Sequence, residues 1–158
     1  ALLQFEKESL SRKIIHELKY KSREKIGKTL AEWTIERVQL HKNKPDLFVS
    51  VPLHQKKLKE RGYNQLHLFT ETLSQHYDIP FSHDLIQRNH YSKAQALKDR
   101  EHRLQSENPF SLTCNISNQH ILLIDDVFTT GNTLSSIAWE ILKSGNNKVS
   151  VLVMAMDE

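Results

Sequence analysis

The sequence predicts an α/β fold with a mostly parallel central sheet flanked by helices, and two segments carry that prediction. In the first, the apolar run Ile121, Leu122, Leu123, Ile124 leads into Asp125 and Asp126, then Val127, Phe128, Thr129, Thr130, Gly131, Asn132 and Thr133. Leu134, Ile137, Ala138, Ile141 and Leu142 follow at helical spacing. This is the pattern of a buried parallel strand, a loop at its carboxyl end and a helix whose amino terminus opens on the loop. Ligands bind at such places in open α/β sheets. In the second segment the order repeats: Leu47–Val51 is a β-rich run ending at Pro52, a basic stretch follows, and a helix begins near Asn64.

The other elements follow in chain order. Leu10, Ile14, Ile15 and Leu18 make one apolar face and predict a helix over about Glu8–Tyr20. Ser22 is placed to cap a second helix to about His41, carrying Ile26, Leu30, Trp33 and Val38. Lys19, Lys21, Arg23, Lys25 and Lys28 cluster here and read first as a solvated surface, with a nucleic-acid or phosphate patch as the alternative. Asn43–Asp46 is a turn around Pro45. Gln55 to Arg61 is expected as a polar basic loop ended by Gly62, and Asn64 as the cap of a helix with Leu66, Phe69, Leu73 and Tyr77 on one face. Leu85–Arg88 reads as a short strand. The long cation-rich segment after it holds Lys93, Lys98, Arg100 and Arg103 without clear periodicity, a composition that is either functional, disordered or simply solvated. Gly145 is read as a helix stop and Lys148–Ala155 as the closing strand.

Bulk properties set bounds. The 158 residues suit a single domain with a sizeable core, a helical lead-in at 1–45 and a core at 46–158. A net charge of +3 and a pI near 9.0 suit an anionic small ligand and permit nucleic-acid contact. Cys114 alone excludes an internal disulfide framework and cysteine-based zinc within this chain. With no signal peptide and no apolar run of membrane-spanning length, a cytoplasmic protein is the expectation. The chain starts at Ala1 without Met, so it is expected to be trimmed or part of a longer protein. The nine histidines include no pair three or four apart, so no helical zinc pair is expected, and HExxH is absent. His54, next to the second segment, is expected on the surface or bonded to backbone rather than in catalysis.

The chemistry of the first loop is specific. Gly131 permits positive φ and close approach of an anion to the backbone. Thr129, Thr130 and Thr133 offer hydroxyls, and the start of the helix adds free N–H groups and a positive dipole end. The nucleotide motifs GxxxxGK[ST] and GxGxxG are both absent. Asp125 and Asp126 suit paired hydroxyls or Mg²⁺. A monophosphate beside a diol describes a ribose 5-phosphate. The second loop repeats the logic with formal positive charge, strongest at Arg61, and suits a group such as pyrophosphate.

The stretch ILLIDDVFTTGNT resembles the phosphoribosyl pyrophosphate (PRPP) motif of type I phosphoribosyltransferases along its full length. Ser50 to His54, followed by Leu58 to Gln65, resembles the PVPLH…RERGFNQ signature of the ComF branch of that family, which is associated with DNA uptake in competent bacteria. Leu18-Lys19-Tyr20, Arg88 to Gln95, and Arg100 with Arg103 before Asn108-Pro109-Phe110 fit the same branch. The likeness runs from about residue 10 to 155. Ser92 stands where the branch usually shows threonine, and Asn132 where the motif often has alanine. ComF-like proteins usually begin with a four-cysteine zinc module, which nothing before Cys114 can supply. Either that module precedes residue 1 or this member lacks it.

The resemblance implies a PRPP-binding protein that transfers ribose 5-phosphate to an unidentified acceptor with release of pyrophosphate. Asp125 and Asp126 would hold the ribose hydroxyls as the catalytic pair. Thr129, Thr130, Gly131, Asn132 and Thr133 would hold the 5-phosphate, and Pro52, Leu53, Arg61, Arg88 and Arg100 the pyrophosphate. Mg²⁺ would be bridged through PRPP rather than ligated by side chains. The resemblance also implies a mobile loop between 82 and 110 and a hood, expected from the amino-terminal helices and the turns near Pro45 and Pro80. No residue stands out as general base; Asp126 is the nearest candidate, and the acceptor can do without one. Two alternatives stand beside this: a non-catalytic PRPP or nucleotide-binding module, and a competence accessory protein that binds single-stranded DNA or other competence proteins. A homodimer is compatible with all three.

Overall fold

The structure is a computed structural model that describes residues 1–5, 9–19, 23–40, 43–89 and 108–157. Its strands are β1 (Leu3–Phe5), β2 (Leu47–Ser50), β3 (Phe81–Ser82), β4 (Ile86–Arg88), β5 (Phe110–Leu112), β6 (His120–Phe128) and β7 (Lys148–Asp157). Its helices are α1 (Leu10–Leu18), α2 (Lys25–Arg37), α3 (Gln55–Arg61), α4 (His67–Tyr77) and α5 (Asn132–Lys143). Five strands form one parallel sheet in the order β1-β7-β6-β2-β3, and β4 and β5 form a separate antiparallel ribbon. The expected α/β class with a mostly parallel sheet is the fold observed.

β6 lies at the centre because its sequence leaves no solvent face. Ile121, Leu122, Leu123 and Ile124 are all buried, as a parallel strand covered on both sides requires. Leu47 to Ser50 pair with Ile121 to Ile124 in register, so the carboxyl ends of β2 and β6 come out side by side. That register places Pro52 and Leu53 next to Asp125 and Asp126. Phe48, Leu66, Phe69 and Leu73 fill the core where α4 packs on β2, and α2 lies against α4. The hydroxyl of Tyr63, in the α3–α4 link, donates to the Leu18 carbonyl at 2.5 Å and ties the end of α1 to this layer.

Several local expectations are corrected. The basic stretch 55–61 is a helix, not a loop. His54 Nδ1 accepts from the Lys56 N–H at 3.1 Å, and Gly62 closes the helix at φ 82°. The stretch looked like a loop because no residue of α3 is buried, so it has no apolar face to reveal a period. Asn64 does not cap α4 directly, since that helix begins at His67. Its side chain instead accepts from the Leu66 N–H at 3.1 Å and donates to the Val51 carbonyl at 3.1 Å. Ser9 caps α1 by accepting from the Arg12 N–H, and Leu10 faces solvent. The expected cap Ser22 lies outside the described residues; α2 starts at Lys25 and leaves Trp33 half exposed.

β1 was not expected. It adds three residues to the edge of the sheet beside β7. Gly145 is not a left-handed helix stop: only Gly62 and Gly131 have positive φ among the described glycines, and α5 ends at Lys143. The absence of a side chain at Gly145 serves close approach instead. A Cβ there would meet Ser117 Cβ at 2.7 Å and the Ile116 carbonyl at 3.0 Å. The turns at Pro45 and Pro80 precede β2 and β3, so they sit at the amino edge of the sheet, away from the carboxylates.

Candidate functional site

Asp125 and Asp126 lie in the last part of β6, beyond its buried run, where pairing to β7 continues through Asp125 and Val127. Consecutive strand residues point to opposite faces, and the two carboxylates have different surroundings. Asp126 accepts a hydrogen bond from Gln65 Nε2 at 2.8 Å and pairs with Lys19 Nζ at 3.0 Å. Asp125 Oδ1 accepts the backbone N–H of Asp126 at 2.8 Å. Burial, followed by the charge of Asp126, pushes the Asp125 carboxyl up to about 7, against the opposing pull of that N–H and of Lys19. One member of the pair therefore carries external partners, while the other is poised between its two protonation states at neutral pH.

After β6 the chain turns through Phe128, Thr129 and Thr130 to Gly131, at φ 75°, and enters α5 with no side chain capping the helix. A pocket of about 50 Å³ lies here, lined by Asp125, Thr129, Thr130, Gly131, Asn132 and Thr133 among others. The uncapped helix start supplies N–H donors and the Thr side chains supply hydroxyls, a combination that suits a monoanionic or dianionic phosphate. The Phe128 ring closes the outer side, lying 3.0 Å from where a Cβ on Gly131 would stand.

Asp125, Val127 and Thr133 also line a larger adjoining cleft of about 210 Å³. Its other walls carry Lys19, Pro52, Leu53, His54, Lys57, Arg61, Gln65, Arg88 and Asp126. Four cations thus face two carboxylates in one groove at the carboxyl edge of the sheet. Arg61 Nη1 donates to Gln65 Oε1 at 2.8 Å. Arg88 arrives from the β4–β5 ribbon, with its guanidinium carbon 5.3 Å from the centre of the Phe110 ring.

The structure brings together Asp125, Asp126, Thr129, Thr130, Gly131, Asn132, Thr133, Pro52, Leu53, Arg61 and Arg88, all of which the sequence had marked. Arg100, with Lys93, Lys98, Arg103 and the expected closing loop, lies outside the described residues. Lys57 reaches the cleft, whereas Lys56 and Lys59 are not among its lining residues. Two members of the site were missed. In the sequence Lys19 reads as part of a solvated basic surface, and Gln65 belongs to no charged or apolar pattern. Both stand inside blocks that carried the family resemblance, which was the only signal for them.

Among the described residues no three His, Cys, Asp or Glu side chains converge as a metal cluster. His54 bonds to backbone, as expected for it. His83 accepts or donates at both ring nitrogens, to buried Ser50 at 2.9 Å and to Glu71 at 3.1 Å, and stacks on His67 at 3.7 Å. This cluster ties the β3–β4 link to β2 and α4. Cys114 is an exposed free thiol, and no described helix is long and apolar enough to cross a membrane.

Comparison with known proteins gives consistent relatives. The chain is 32% identical over 145 residues to the DNA utilization protein YhgH of Escherichia coli O157:H7, covering 87% of this chain and 63% of that protein. It is 30% identical over 151 residues to competence protein F of Haemophilus influenzae, covering 90% and 66%. The chain thus spans slightly less than two thirds of these curated relatives. Among solved structures, a purine phosphoribosyltransferase from Pyrococcus horikoshii superposes with a TM-score of 0.50 at 19% identity, over 92% of this chain and 73% of that one. That likeness concerns the fold. No family model matches the chain.

Proposed function

The chain belongs to the ComF-like branch of the type I phosphoribosyltransferase family, and from that premise we propose that its cleft binds PRPP and transfers ribose 5-phosphate to an acceptor. The observation that carries the reading is the continuity of the two cavities. An uncapped helix start lines one cavity, a carboxylate pair and a cationic wall line the other, and Asp125, Val127 and Thr133 belong to both. Thr129 to Thr133 hold the 5-phosphate, Asp125 and Asp126 accept the ribose hydroxyls, and Arg61, Arg88, Lys57 and Lys19 face the pyrophosphate. Residues 1–158 act as one domain, with α1 as part of the hood.

In the reaction the bond from ribose C1 to the pyrophosphate oxygen breaks and a bond from C1 to the acceptor forms. The electron pair leaves on pyrophosphate, and the acceptor gives up a proton to water or to a carboxylate of the pair. Positive charge grows at C1 as the bond breaks, and carboxylates that hold the ribose hydroxyls would stabilise it electrostatically. The rest of the work is positioning. The donor set fits Mg²⁺ carried by the ligand. Two hard carboxylates with no third ligand among the described residues make no cage of their own, and Mg²⁺ commonly binds through one or two carboxylates plus substrate phosphates. When bound, it neutralises the leaving pyrophosphate.

Calorimetric titration of PRPP with Mg²⁺ into the wild type and into Asp125→Ala/Asp126→Ala tests the reading. Binding that the double variant weakens by about tenfold or more supports it. No binding by the wild type at millimolar PRPP sinks it.

A second reading has its own observation. α3 carries Lys56, Lys57, Lys59 and Arg61 on an exposed helix, and relatives are named for DNA utilization and competence. In this reading the protein is a competence accessory factor that tracks a phosphate backbone. Oligonucleotide affinity that falls steeply with salt would favour it.

A further inference from the structure

Gln65 is buried, with 5% of its surface exposed, yet both ends of its side chain are engaged in the cleft. Its Nε2 donates to Asp126 at 2.8 Å, and its Oε1 accepts from Arg61 Nη1 at 2.8 Å. Resting on the PRPP reading above, we propose that Gln65 is a positioning residue that couples the carboxylate half of the cleft to the pyrophosphate half.

An amide donates at one end and accepts at the other and stays uncharged at every working pH. At this position it fixes a carboxylate and a guanidinium at a set separation without adding charge between them. A direct Arg61–Asp126 ion pair would draw the two charges together and turn them toward each other rather than toward a ligand. With the amide interposed, each charge keeps further hydrogen-bonding capacity. Asp126 has lone pairs for a hydroxyl, and Arg61 has remaining N–H groups for a phosphate. Lys19 holds the same Asp126 oxygen from the other side at 3.0 Å, so this carboxylate is fixed by two elements remote in sequence. The backbone supports the bridge locally. Asn64, the preceding residue, is pinned to the Val51 carbonyl and to the Leu66 N–H, which sets the direction in which Gln65 projects.

The coupling has a direct test. Dissociation constants for PRPP with Mg²⁺ are measured for the wild type, Arg61→Gln, Asp126→Asn and the double variant, then for the same set in a Gln65→Leu background. In the wild-type background the effects are expected to depart from additivity by about fivefold or more; in the Gln65→Leu background they are expected to add. Coupling that persists without Gln65 overturns the proposal. If the wild type does not bind PRPP at all, the functional reading fails and the proposal falls with it, so the two failures are distinguishable.

Because Gln65 is buried, thermal melting accompanies each variant, and Gln65→Met serves as a second apolar replacement. Gln65→Glu separates the two ends. It keeps an acceptor for Arg61 but sets a like charge against Asp126. NMR of the ligand-free protein should show slowed Arg61 guanidinium rotation in the wild type and Gln65→Glu, and fast rotation in Gln65→Leu. PRPP affinity should fall by at least tenfold in both variants. Equal Arg61 dynamics in all three proteins would refute the bridge.

Discussion

Lys19, the residue that follows α1, reaches Asp126 near the end of β6 and pairs with it at 3.0 Å, with 28% and 14% of the two side chains exposed. The contact makes the amino-terminal layer part of the cleft wall. It also sets Lys19 against the upward shift of the Asp125 carboxyl, which burial and then the charge of Asp126 produce.

Lys19→Met removes that charge from both carboxylates and from the proposed anion site. PRPP affinity is expected to fall by about tenfold, the loss typical of one charged hydrogen bond. Lys19→Arg should restore most of it. Affinity unchanged in Lys19→Met, measured by calorimetry, would remove Lys19 from the site.

Asp125 makes the stability of the free protein depend on pH in a definite direction. Its folded value of about 7 lies above its ordinary 3.8, so the folded chain holds that proton more tightly than the unfolded one. The contribution is most favourable below the ordinary value and is lost as pH rises toward about 7. Asp125→Asn should therefore stabilise the free protein at pH 8, by on the order of 2 kcal/mol, and flatten this part of the curve. His67 acts oppositely: burial, then His83, lowers its value below 6.5, so its contribution is lost as pH falls. Denaturant midpoints of the two proteins from pH 4 to 8, compared pairwise, isolate Asp125.

Gly131→Ala tests the proposed phosphate loop. Positive φ costs an alanine about 1–2 kcal/mol, and the new Cβ meets the Phe128 ring at 3.0 Å. Adding Phe128→Leu should relieve the second cost and leave the first. Binding of ribose 5-phosphate should drop in both variants if the backbone of this turn forms the cradle.

Tyr63→Phe removes the hydrogen bond to Leu18 that anchors α1 beside the cleft. A stability loss of about 1 kcal/mol is expected, or roughly 2–4 °C in melting temperature for a chain of this size. PRPP binding should weaken as Lys19 loses its support. A change in melting temperature with no change in binding would confine Tyr63 to a structural role.

The sequence made the strand–loop–helix from Ile121 to Leu142 legible because a fully buried strand and an amphipathic helix each leave a periodic trace. The carboxylates and threonines between them are chemistry with few other uses. What stayed hidden lacked such a trace. β1 is three residues long and only partly covered at its first positions. α3 has no apolar face. Leu10 and Trp33 fit a helical spacing yet face outward, since periodicity marks a helix but not which apolar residues find partners. Lys19 and Gln65 act through contacts to a strand far along the chain, and no local pattern announces those. Gly145 after a helical run looks like a conformational need, whereas its role is to let the chain near Ser117 pass.

The lack of any buried residue in α3 separates two selective pressures that most helices combine. Substitutions at Lys56, Lys57, Lys59 or Glu60 disturb no core packing, so they should change the charge beside the cleft, which Lys57 alone of the four lines, while leaving the melting temperature nearly untouched. Residues 55–60 are therefore a cassette. An experimenter can rewrite it without renegotiating the fold.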